Sequence, residues 1–224
     1  MRPFSIVKIL LLWYNFLRKA RCSLLFYYIV TILISMALIV TGNAVFTMPI
    51  GLDEILWLAL ETTIYTVGVI AVDGLFAFLI RRLTPMKWYK PGRRIFSVSK
   101  KEKNFYNKIK IKSWKDKVPE LGGFTSFHKN EFKTSSDSAY LERFIIESNY
   151  GVIIHLENAL FGFLIMLIPC YLLPYSHGFS VWFPVCAVNF VLSMLPVFIL
   201  RYTNYTLLRL YNKSQRKKSG TNEN

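Results

Sequence analysis

Charge is scarce and one-sided in this chain. Of its 224 residues only 18% are Asp, Glu, Lys or Arg, against about 25% in an ordinary soluble domain. Acidic residues number 13 and basic ones 28, a net charge of +15. Cysteine is nearly missing. Cys22, Cys170 and Cys186 stand in or beside apolar stretches, and no two have metal-ligand spacing. An odd count leaves no complete disulfide framework, so a zinc ribbon and a secreted disulfide scaffold are both excluded. No Gly-rich phosphate loop, HExxH helix or nucleophile elbow occurs, and Gly122-Gly123 marks a turn and nothing more.

What is present is apolar. Hydrophobic residues make up 53% and aromatics 16%, with a mean hydropathy of +0.34. A soluble chain this basic would suggest a nucleic-acid partner. Here the apolar content points to a membrane whose anionic face attracts the cations, and a nucleic-acid partner is set aside.

The pattern predicts an all-α integral membrane protein with four transmembrane helices. A spanning helix needs about 20 apolar residues. Residues 22–52 carry no charge, which gives a first span over 23–46. A second covers 55–80, interrupted by Glu61 and Asp73. Residues 158–200 again lack Asp, Glu, Lys and Arg, with a turn cluster at Pro174-Tyr175-Ser176-His177-Gly178. Two further spans follow, 151–173 and 179–200. The cations fall before the first span, in the tract 81–145 and from Arg201 onward. By the positive-inside rule both termini and the tract are cytoplasmic. Three regions result: 1–80, an N-terminal interfacial helix and a transmembrane hairpin; 81–145, a basic cytoplasmic and interfacial segment; 146–224, a second hairpin with a basic tail.

The N-terminal stretch could pass for a signal peptide, but Arg18-Lys19-Ala20-Arg21 stands where a small-residue cleavage site belongs. Residues 5–17 are expected to lie as a short surface helix, with Trp13 and Tyr14 at headgroup depth. In the central tract Lys and Arg alternate with aromatics such as Trp88, Tyr89, Phe105, Tyr106 and Trp114, the pattern of a segment lying in the interface. Lys108-Ile109-Lys110-Ile111-Lys112 alternates with period two, as a short strand would. Residues 134–138 read as a loop before a helix starting near Leu141.

That helix carries Glu147, His155 and Asn158. Ionisable groups at membrane depth are costly and mark function by default. At about 100° per residue, Glu147 and Asn158 lie about 20° apart, each within about 80° of His155, so all three can look into one cavity. The other reading of the same spacing is a polar ladder that holds helices together. Asp73 and Glu61 are about 120° and about 18 Å apart on their own helix, so they are not a carboxylate pair. Asp73 could face His155 or pair near the interface, while Glu61 could snorkel or stay protonated.

Lys112-Ser113-Trp114-Lys115-Asp116-Lys117-Val118-Pro119, followed by Phe144-Ile145-Ile146-Glu147 through His155, resembles the glycosyl-4,4'-diaponeurosporenoate acyltransferase family, small bacterial membrane proteins that acylate the sugar of a carotenoid glycoside. The resemblance runs from about Leu79 to the C-terminus. Pro85, Trp114-Lys115, Glu147 with His155 eight positions on, and Pro196, Arg201, Tyr202 and Asn204 carry it. Val152 departs from an often acidic position, the stretch from Arg201 shifts register, and the first two spans look unlike the family. The resemblance implies acyl transfer in a bacterial cell membrane, with Trp114, Lys115, Arg201 and Asn204 toward substrate.

Transfer of an acyl group to a sugar hydroxyl needs a base with a pKa near working pH, which suits His155. It also needs a donor for the developing oxyanion, which Asn158 or the Trp114 indole could supply. Glu147 would orient the cytoplasmic rim. Acyl-CoA, the expected co-substrate, is cytosolic and anionic, and Lys115 would hold its phosphates; the acceptor would be a membrane lipid or glycolipid. No resident cofactor or metal is called for, and nothing sets an oligomeric state. Two other functions stay open: a non-catalytic membrane scaffold or accessory subunit, and another lipid-modifying enzyme such as a methyltransferase.

Overall fold

A computed structural model describes residues 6–46, 51–118, 138–165 and 177–221, with side-chain surroundings for 26–46, 51–118, 138–164 and 177–216. The described residues are mostly helical and contain no strand. Four long helices dominate: α1 Ile6–Phe46, α2 Leu52–Leu83, α5 Ser138–Ile165 and α6 Phe179–Thr221. Between α2 and α5 come 3-10 turns at Met86–Tyr89 and Arg94–Phe96, the short helices α3 Lys100–Lys108 and α4 Ile111–Trp114, and a 3-10 turn at Lys115–Lys117.

Among the described residues three segments are long and apolar enough to cross a membrane: Phe26–Phe46 in α1, Leu52–Leu83, and Phe179–Arg216 in α6. Their outer faces expose large apolar side chains, including Phe26, Leu38, Leu56, Val67 and Phe78. A water-soluble surface would not tolerate such a continuous apolar face. The chain is therefore a helical protein suited to a membrane. The expected span 151–173 is described only as far as Ile165, within α5. The Gly122-Gly123 turn, most of the loop 134–138 and the start of the 174–178 turn lie outside the described residues.

Local chemistry sets the ends. Asp53 and Glu54 sit in the first turn of α2, and Arg81 and Arg82 in its last. Each sign matches the helix dipole. Pro85 follows Thr84, whose extended backbone ends the helix. Ser99 caps α3 by accepting the Glu102 amide at 3.1 Å, the opening half of a capping box.

Three expectations change. The surface helix 5–17 is not separate, because α1 runs unbroken from Ile6 to Phe46. Lys and Arg are good helix formers, and no Gly or Pro intervenes before Gly42. Residues 108–112 are not a strand. They end α3, pass through Lys110 at φ 52° and open α4, so the left-handed residue breaks what period two suggested. The fourth expected span does not stop at Leu200, since α6 continues to Thr221.

Three apolar clusters stack along the bundle. Ile39, Leu58, Tyr65, Val69, Val181, Trp182, Val185 and Cys186 join α1, α2 and α6. Ile80, Tyr89, Phe96, Ile146, Tyr150 and Ile154 join α2, α5 and the turns after α2. Leu141, Ile145 and Leu207 join α5 to α6 beyond them. Glycines let α5 and α6 approach closely. A Cβ on Gly151 would stand 2.8 Å from Leu200 Cδ1, and one on Gly162 3.1 Å from Asn189 Nδ2. Small residues serve this purpose between membrane helices.

Candidate active site at the bundle rim

The second cluster roofs the region where α2 ends and α5 runs inward. Glu147 lies here, and its carboxylate is held from two sides. Arg81 Nη1 donates to Oε2 at 3.0 Å, and Arg143 Nη2 pairs with Oε1 at 2.8 Å from one turn earlier on α5. The Glu147 side chain is 11% exposed, while both arginines are about a third exposed or more. Glu147 thus fixes the rim by tying α2 to α5. The Arg81 guanidinium also lies over the Tyr150 ring, 5.5 Å from its centroid, a cation–π contact.

Tyr150 extends this frame. Its hydroxyl donates to the Thr84 carbonyl at 2.9 Å, and its ring stacks on Tyr89 at 3.7 Å. The Tyr89 hydroxyl meets Thr84 Oγ1 at 2.9 Å. Burial pushes the Tyr89 phenol above its ordinary pKa, the Thr84 hydrogen bond opposes that, and Tyr150 and Glu157 add to it. Tyr89 therefore stays neutral at any ordinary pH.

A buried amide relay runs behind it. Asn149 Nδ2 donates to the Tyr89 carbonyl at 2.8 Å, and Asn204 Nδ2 donates to Asn149 Oδ1 at 2.8 Å. Both asparagines are 1% exposed. Asn204 Oδ1 ends the relay without a partner. Asn204, expected toward substrate, is thus packed into the α5–α6 joint.

Arg201 is likewise engaged within the chain. It forms a two-point ion pair with Glu102, with Nη2 to Oε2 at 2.9 Å, and donates to the carbonyls of Ser97 at 3.1 Å and Ile95 at 3.4 Å. Tyr106 donates to the same Glu102 carboxylate at 2.6 Å. Burial pushes the Glu102 carboxyl up, but the bonds from Arg201 and Tyr106 outweigh it and hold the group below the ordinary carboxylate range. Arg201 therefore docks α3 and the Arg94–Phe96 turn onto α6.

The Trp114 indole N–H donates to the Ile109 carbonyl at 2.9 Å. This withdraws it as the oxyanion donor, because its only proton closes its own turn. Lys115 Nζ stands 3.6 Å from Asp116, a loose pair with both side chains more than a third exposed.

His155 lies eight residues past Glu147 on α5, about 12 Å deeper along the axis, half-buried beside Ile154 of the second cluster. Asn158 follows almost one turn on. It is buried, its Oδ1 has no partner, and its carbonyl accepts Asn189 Nδ2 at 3.3 Å. The two Glu147 carboxylate oxygens go to Arg81 and Arg143. Asp73 interacts with Asn189 of α6. Among the described residues no group of three or more His, Cys, Asp or Glu is placed to hold a metal ion.

Reading the sequence missed Arg81, Arg143 and Glu102. Arg143 could have been found from its i,i+4 spacing to Glu147. Arg81 and Glu102 lie 66 and 99 positions from their partners, and no local pattern signals that. It also missed His177, which bonds Glu61 at the other end of the bundle.

No curated protein and no solved structure matches the chain. The family model for glycosyl-4,4'-diaponeurosporenoate acyltransferase matches residues 85–213. That range takes in Trp114, Lys115, Glu147, His155, Asn158, Arg201 and Asn204, and it covers more than half of the sequence. The chain belongs to the glycosyl-4,4'-diaponeurosporenoate acyltransferase family.

Proposed function

We propose that this protein is a membrane acyltransferase that moves a fatty acyl group from acyl-CoA to a sugar hydroxyl of a glycolipid or glycosylated terpenoid. In this reading it works at the cytoplasmic face of a bacterial cell membrane, with four spans and both termini inside. The observation that carries it is His155, a half-buried imidazole on α5 inside the matched region. Family membership supports acyl transfer, and the cation distribution supports the orientation.

The chemistry assigns one task to each group. The acceptor hydroxyl gives its proton to His155 as its oxygen attacks the thioester carbonyl. The carbonyl oxygen takes up the charge, and the Asn158 amide donates to it. The tetrahedral intermediate collapses, the C–S bond breaks, and the imidazolium returns the proton to the departing thiolate. Lys115 attracts the donor's phosphates as a mobile point charge. Glu147, Arg201 and Asn204 act as positioning residues, through the contacts that tie α2, α3 and α6 around α5.

Radiolabelled palmitoyl-CoA tests the reading. Membranes containing the protein, supplied with a glycosylated carotenoid, should pass label into an alkali-labile lipid ester. Membranes lacking the protein should not. Equal labelling of both preparations would remove the enzymatic reading and leave the scaffold.

A further inference from the structure

At the opposite end of α2, about 30 Å from Arg81 along the helix, a second polar site is built from three helices. Glu61 is 3% exposed. Its Oε2 accepts the His177 backbone N–H at 3.0 Å and lies 2.8 Å from His177 Nδ1. Gly178, at φ 57°, turns the chain into α6 there, a conformation glycine adopts without strain. The His177 carbonyl accepts both the amide and the hydroxyl of Ser180, and Asn43 of α1 donates to the Ser180 carbonyl at 3.1 Å. His177 is therefore held on both sides of its backbone. A carboxylate acceptor on Nδ1 selects the tautomer that leaves Nε2 as the acceptor, and the imidazole is 23% exposed.

Two buried polar atoms at this end have no partner: Glu61 Oε1 and Trp182 Nε1. Trp182 packs in the cluster that contains Leu58 and Tyr65, the residues one turn to either side of Glu61. Buried groups of this kind are costly to leave unpaired. One is an acceptor and the other a donor. A cation would serve only the carboxylate, and an anion would be repelled by it. A hydroxyl both donates and accepts. Trp57, Phe179 and Phe183 at the same end are exposed, as in the aromatic belt at headgroup depth.

We propose that Glu61, His177 and Trp182 form a second site, at the end of the bundle opposite the Glu147 rim, that binds the hydroxyls of a lipid headgroup. Glu61 lies outside the residues that match the family, and the site does not depend on the acyl-transfer reading. The hydroxyls can come from a sugar or from the glycerol of phosphatidylglycerol.

Carbethoxylation of His177, followed by mass spectrometry on the full chain in phosphatidylcholine nanodiscs, tests the site, with an added histidine-containing peptide as the reactivity reference. Added glucosyl diacylglycerol should slow His177 modification about tenfold when its concentration is ten times the dissociation constant. Slowing by phosphatidylglycerol as well would support glycerol as a source; slowing by the glucosyl lipid alone would support sugar. Glu61→Gln should abolish the protection, as should Trp182→Phe, which keeps the ring and serves if the first variant does not fold. His155→Gln should leave the protection intact. Protection by neither lipid, or equal protection in Trp182→Phe, would overturn the proposal, and neither result bears on acyl transfer.

Discussion

Asn149 and Asn204 face each other with both side chains fully buried, and one amide–amide hydrogen bond of 2.8 Å joins α5 to α6. Asn149 spends its own N–H₂ on the Tyr89 carbonyl, so a single side chain links two long helices to the turn after α2. Side-chain hydrogen bonds between membrane helices average about 0.6 kcal/mol, with a maximum near 1.7. An acceptor left buried without a donor costs about 1–3 kcal/mol. Asn149→Leu should therefore destabilise more than Asn204→Leu, because it orphans both the Tyr89 carbonyl and Asn204. A double-mutant cycle in detergent unfolding should return a coupling of about 0.6–1.7 kcal/mol. A coupling of zero would mean that the relay does not hold the helices.

Glu102 makes the docking of α3 dependent on pH. Its carboxyl is held below the ordinary range in the folded state. A depressed carboxylate contributes stability that is fully present above the unfolded-state pKa and is lost as pH falls through the folded one. Protection of the α3 amides, taken relative to the intrinsic exchange rate at each pH, should be high at neutral pH and fall only under acid conditions, below the ordinary carboxylate range. Glu102→Gln should show weak protection throughout and lose that pH dependence.

Lys115 is expected to act on the donor rather than on the chemistry. A lysine near an anionic partner at a membrane surface is worth about 1 kcal/mol, or roughly fivefold in affinity. Lys115→Ala should raise the apparent KM for acyl-CoA about fivefold and leave kcat nearly unchanged. An unchanged KM would make Lys115 an interfacial anchor.

Much of the helical frame was legible because charge is costly in hydrocarbon: the gap 22–52 gives the apolar part of α1, long enough to cross a membrane, and the cations at Arg81 and Arg82 mark the end of α2. Helical spacing alone predicts that Glu147, His155 and Asn158 share one side of α5, but it gives none of their partners. Arg201 carries a family echo, yet its role depends on Glu102 folding back across 99 residues. Asn204 became a joint only through Asn149. The indole of Trp114 looked available because nothing local reveals that the Lys110 turn brings the Ile109 carbonyl to it. His177 looked like a turn residue, and only tertiary packing gives it Glu61.

Acyl transfer by His155→Gln in native membranes is the most direct measurement of the proposed mechanism. General-base catalysis is typically worth roughly 10²–10⁴-fold. Glutamine keeps a polar side chain for packing against neighbouring helices. The variant should insert and fold as the unaltered protein does while its turnover falls by a factor in that range. Turnover close to that of the unaltered protein would contradict the account and make His155 a structural residue of α5.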